Sequence, residues 1–166
     1  MRLLTAGILI CIFGLFSTAI AQTVQPLFYI ERSLNANIVH YDAQLNINGT
    51  LDRKDPVTAY WVLNAEDGRR ESLNLIQRTK AYGIKVKPGT NKGEYSLTIV
   101  SFKDRPIRVF MNEGIVRAQM NINGSPAFLE RVFVQARGAF SKPEFIEFYG
   151  KDIITGEERV ERIISD

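Results

Sequence analysis

From Leu27 onward the chain alternates apolar and polar residues with a period of two, almost to its end. Val39, Tyr41, Ala43, Leu45 and Ile47 fall on one face of a strand over residues 37–47, with His40, Asp42, Gln44 and Asn46 on the other. Residues 57–63 put Val57, Ala59, Trp61 and Leu63 on one side and Tyr60 and Val62 opposite, the pattern of a strand covered on both faces. Further short strands are predicted over 27–30, 84–87, 95–101, 107–111, 115–122, 128–136, 144–149 and 159–164. Turn residues separate them, such as Asn91-Lys92-Gly93, Asn112-Glu113-Gly114 and Thr155-Gly156.

One segment departs from this period. Leu73, Ile76 and Ala81 recur near helical spacing, with Leu75, Thr79 and Tyr82 on a neighbouring stripe. Ser72 is suited to cap a helix there, and Gly83 to end it in a left-handed turn. The spacing predicts one amphipathic helix over 72–82, covering an edge or an end of a sheet. The fold class that follows is mainly β: an antiparallel barrel or sandwich of about eight short strands with one amphipathic helix. Tyr41, Trp61, Tyr95 and Phe133 are expected in its interior.

Two octapeptides echo each other. Residues 43–50 read AQLNINGT and residues 118–125 read AQMNINGS. Asn-Gly accepts positive φ at both central positions of a two-residue hairpin, so both stretches predict a hairpin turn. Asn48 and Asn123 also begin N-x-[ST] glycosylation patterns, a reading secondary to the turn.

Residues 1–21 precede the alternating region. Met-Arg-Leu-Leu leads into an apolar run from Ala6 to Phe16 and then Ser17-Thr18-Ala19-Ile20-Ala21, the layout of a secretory signal peptide cleaved after Ala21. The apolar run is shorter than the ~20 residues that span a bilayer. A periplasmic or secreted single domain over residues 22–166 is therefore expected, with no membrane span after cleavage.

Removing this leader takes away Arg2 and Cys11, the chain's one cysteine. What remains has no thiol chemistry and one histidine, His40, too few for a multi-histidine zinc site. Basic and acidic residues are nearly balanced and interspersed, so nucleic acid is not an expected partner. No phosphate-cradling glycine loop, serine elbow or zinc-protease helix motif occurs, and no cofactor is implied.

Two polar clusters supply candidate binding residues. The first is Glu31, Arg32, Asn35, Asn37, His40 and Asp42. His40 and Asp42 share a strand face at alternate positions, so Asp42 is a candidate to orient His40 as a base, with Ser33 a candidate nucleophile. Alternation on a solvated sheet face accounts for the same residues without any chemistry. The second cluster is Arg69 and Arg70 within Glu66-Asp67-Gly68-Arg69-Arg70-Glu71. Paired arginines suit a carboxylate or phosphate, but a solvated charged turn is the preferred reading.

The runs Phe28-Tyr29-Ile30-Glu31-Arg32-Ser33, Gly68-Arg69-Arg70-Glu71 and Phe145-Ile146-Glu147-Phe148-Tyr149-Gly150, with Tyr60-Trp61 and Ala81-Tyr82-Gly83, make the chain familiar. It resembles a family of bacterial exported proteins catalogued only as a domain of unknown function. The resemblance implies an exported single-domain protein and brings no activity or catalytic residue with it. The Gly-x-Trp of lipocalins is missing near the first strand.

The leading expectation for function is a non-enzymatic exported domain. It would bind a small apolar or amphipathic ligand, or an envelope protein, because closed sheets with apolar interiors offer cavities. The alternatives are an envelope-polymer hydrolase built on His40 and Asp42, and an edge-pairing module using an unpaired strand at 27–30 or 159–164.

Overall fold

The computed structural model describes residues 23–138 and 142–164; the expected leader lies outside them. Eleven strands and one short helix follow the alternation, in the order β1 (Thr23–Arg32), β2 (Asn35–Leu45), β3 (Val57–Leu63), β4 (Arg69–Ser72), α1 (Leu75–Lys80), β5 (Ile84–Pro88), β6 (Tyr95–Ile99), β7 (Ile107–Asn112), β8 (Ile115–Ile122), β9 (Ser125–Ala136), β10 (Pro143–Asp152) and β11 (Glu158–Ile164). Neighbours along one path run β4-β3-β2-β1-β9-β8-β7-β6-β5, a sheet curled into a half-barrel. The fold is mainly β, as the pattern predicts, with more strands than the expected eight or so.

Strand β9 is the hub. Its first residues pair antiparallel with β8, and Arg131 to Val134 pair in parallel with Tyr29 to Arg32 of β1. Its other edge carries β10 along most of its length, and β11 follows β10. Strand β1 thus lies inside the sheet, paired on both sides from Tyr29 to Arg32, and is not the sheet edge expected at residues 27–30. Where β9 pairs with β10, Arg131 opposes Tyr149 while Leu129 opposes Gly150, leaving Glu130 as an extra residue. This bulge switches which residues face inward, from Ala127 and Leu129 to Val132, Val134 and Ala136. Gly150 is needed beside it, because a Cβ there would overlap the carbonyl oxygen of Phe128.

The core lies between the two arms of the sheet. Tyr41 is fully enclosed, stacks on Phe28 at 4.5 Å and donates its hydroxyl to the Tyr82 carbonyl at 2.8 Å. Burial raises the Tyr41 phenol well above its ordinary pKa. Phe133 is not interior; it lies on the opposite face of β9 from Val132 and Val134 and packs near Phe145. Tyr95 is partly buried against the core.

Two local expectations change. The charged stretch before the helix is a strand, because Arg69 to Ser72 complete a ladder on β3. The helix spans only Leu75–Lys80 and buries none of its residues. Asn74, not Ser72, caps it in a reciprocal capping box with Gln77. Leu73 and Tyr82, on either side of the helix, provide the buried contacts that the periodicity assigned to a longer one. Gly83 lies beyond the helix in ordinary backbone conformation; a Cβ there would overlap the Arg78 carbonyl.

Candidate functional site

Register places a row of side chains across five neighbouring strands on the sheet face away from the core. The row runs Tyr60, His40, Tyr29, Arg131 and Tyr149. Strands are spaced about 4.8 Å apart, so rings at paired positions stack edge-on above the sheet. His40 stacks between Tyr29 at 5.8 Å and Tyr60 at 5.9 Å. The Arg70 guanidinium lies 4.6 Å over the Tyr60 ring, and that of Arg131 3.8 Å over the Tyr149 ring.

The charges beside this row are paired. Arg131 bonds Glu31 at 2.6 Å. Glu147 accepts from the Tyr149 hydroxyl at 2.6 Å and from Arg162 at 2.7 Å. These bonds hold its carboxyl below the usual range, the Tyr149 hydrogen bond contributing most.

Asp42 is the most enclosed charge among the described residues, 1 % exposed. Its Oδ2 accepts a 2.5 Å hydrogen bond from the Tyr60 hydroxyl, and Oδ1 is buried with no partner. Arg70 stands 4.0 Å away. Burial, then the Asp42 hydrogen bond and charge, push the Tyr60 phenol up to about 12. The pKa of His40 is lowered, chiefly by burial; Asp42 opposes this shift and Arg70 adds to it. The pairing of Asp42 with His40 envisaged from sequence is replaced by the bond from Tyr60.

Of the eight residues singled out by sequence, Glu31, His40, Asp42 and Arg70 share this face. The other four are elsewhere. Asn35 accepts from the Asn37 amide and Asn37 from the Ala65 amide, so both serve local backbone. Arg69 pairs with Glu66 on the surface. Arg32 projects from the end of β1 and donates to the Gly138 carbonyl at 3.3 Å. The Ser33 hydroxyl donates to the Ala136 carbonyl and accepts from the Ala136 amide, each at 3.1 Å. It clamps the β1–β2 turn onto the end of β9.

That clamp forms one wall of a groove of about 380 Å³. Trp61 and Tyr82, in edge contact at 5.2 Å, line it. Leu34 on the turn and Ile76 on α1 also line it, although they are 67 % and 72 % exposed. Lys80 and Arg32 supply positive charge, and no carboxylate is among the lining residues described.

Trp61 is buried in the core as the alternation predicts, whereas Ile76, expected on a buried helix stripe, is exposed. The missed signal was a strong cap at Asn74 followed at once by Leu75-Ile76, in a helix too short to bury them. Arg131, Tyr149, Glu147 and Arg162 were also missed as members of the face that carries His40. Their alternation in β9, β10 and β11 is visible in the chain, but the parallel pairing of β9 with β1 that joins the two faces is not.

Among the described residues no group of three or more His, Cys, Asp and Glu side chains is placed to hold a metal ion. No described helix is long and apolar enough to cross a membrane. Comparison with the curated proteins and with the solved structures gave no match. Residues 28–162, including the polar row and most of the groove, match the profile of the family described as Domain of unknown function (DUF4833), and the chain belongs to that family.

Proposed function

We propose that the protein is an exported, non-enzymatic binding domain whose ligand is a small anionic amphiphile held in the groove beside Trp61. The observation that carries this reading is the pairing of exposed apolar walls with basic side chains in one groove. Leu34 and Ile76 stay open to solvent beside the Trp61–Tyr82 pair, and the basic side chains of Lys80 and Arg32 line the same groove. Apolar surface of this kind on a small domain is a common mark of a binding site. The volume falls within the range of small-molecule pockets. An acyl chain would cover Leu34 and Ile76, and a carboxylate or phosphate head would meet Lys80.

Trp61 is the chain's one tryptophan, so its fluorescence reports on this groove. Titration with dodecanoate below its micelle concentration is expected to change Trp61 emission saturably. Dodecanol should bind more weakly, and Lys80→Glu should weaken dodecanoate at least several-fold. No saturable change, or equal affinity for the neutral alcohol, rejects the proposal. Native mass spectrometry of material purified from the host envelope tests export and ligand retention together.

A further inference from the structure

We propose that two copies of this protein associate by antiparallel pairing of their β11 edges, with the two-fold axis at Val160. Strand β11 pairs with β10 alone among the described strands, so its other edge presents unpaired backbone groups. The other two edges are built differently. β5 carries Lys85, Lys87 and Pro88, and β4 opens with Arg69 and Arg70, so each edge has adjacent or alternate like charges. Repelling charges and proline are ordinary protection against edge pairing.

Strand β11 instead reads Glu158, Arg159, Val160, Glu161, Arg162. In antiparallel self-pairing, facing residues lie on the same side of the sheet, so the axis must pass through a residue. An axis at Val160 sets Glu158 against Arg162 of the second copy and Arg159 against Glu161 of the second copy, each twice. Moving it to Arg159, Glu161 or Arg162 sets that residue's charge against itself. Opposite charges at directly facing positions stabilise a ladder and like charges weaken it.

The side chains are already held for this register. Arg162 bonds Glu147, Glu161 bonds Arg105 at 2.6 Å, and Arg159 bonds Asp152 at 2.8 Å. Glu158 makes no ion pair among the described residues, and it would complete a Glu147–Arg162–Glu158 chain across the axis. Val160 faces Tyr149, so the row from Tyr60 to Tyr149 would continue through both valines into the second copy.

Sedimentation velocity over roughly 1 to 100 µM, with protein made from the full coding sequence, tests this. A reversible dimer is expected. Glu158→Arg should weaken it at least about tenfold, since two attractive pairs become repulsive. Mixing Glu158→Arg with Arg162→Glu should restore a heterodimer, because each altered charge then meets its opposite. As an independent check, Val160→Cys should form a disulfide-linked dimer on mild oxidation and Glu158→Cys should not. A monomer throughout, a dimer indifferent to Glu158→Arg, or cross-linking at Glu158→Cys in place of Val160→Cys overturns the proposal.

Discussion

Replacing Tyr60 by Phe removes one oxygen atom and leaves a buried carboxylate with no hydrogen-bond donor. Asp42 is almost wholly enclosed, its Oδ1 is already without a partner, and its Oδ2 relies on the Tyr60 hydroxyl at 2.5 Å. Arg70 is a poor substitute, because it stands 4.0 Å off with a side chain 64 % exposed. A hydrogen bond to a charged group contributes about 1.5–3 kcal/mol, so Tyr60→Phe should destabilise the fold by about 2–3 kcal/mol. Replacing both partners with apolar groups removes the unmet demand, so Tyr60→Phe with Asp42→Leu should cost less than the sum of the single changes. Urea unfolding followed by Trp61 emission reads this as a lower midpoint at unchanged slope. A midpoint for Tyr60→Phe within about 0.5 kcal/mol of the parent, or strict additivity in the cycle, would refute the reasoning.

Two further tests use the same unfolding assay. Ile122→Ala should cost about 2–5 kcal/mol, because Ile122 is fully buried, while Ile47→Ala should change stability by less than about 0.5 kcal/mol. Similar costs for the two would show that the burial difference is wrong. His40 has a lowered pKa in the folded state, so the unfolded chain takes up its proton first on acidification. Stability should therefore fall from about pH 7.5 to about pH 5.5, and less steeply in His40→Gln; identical pH slopes would reject a shifted histidine.

Strand positions were readable because half-buried strands must alternate, and β3 and β8 begin and end where the pattern places them. The Asn123-Gly124 turn was readable for the same local reason, and both residues take positive φ between β8 and β9. The candidate site was only half legible. Alternation put His40 and Asp42 on one face, but Tyr29 meets Arg131 through a parallel pairing between distant segments. The amphipathic spacing around α1 was real. It reported contacts of Leu73 and Tyr82 outside the helix, which periodicity cannot tell from contacts within it.

The paired octapeptides show where local information stops. In residues 118–125 the segment runs along β8 into a hairpin, and Ile122 is fully buried. In residues 43–50 the strand ends at Leu45. Asn46 gathers the Asn48 and Thr50 amides onto its side chain, and Ile47 is left 74 % exposed. Composition and alternation were enough to make this chain a β protein, because every residue's preference for strand or turn acts on its immediate neighbours. Which Asn-Gly became the tight two-residue turn of a long hairpin, which isoleucine was enclosed and which edge stayed open depended on strands far away in the chain. Burial free energy belongs to the assembled surface and is not carried by any octapeptide.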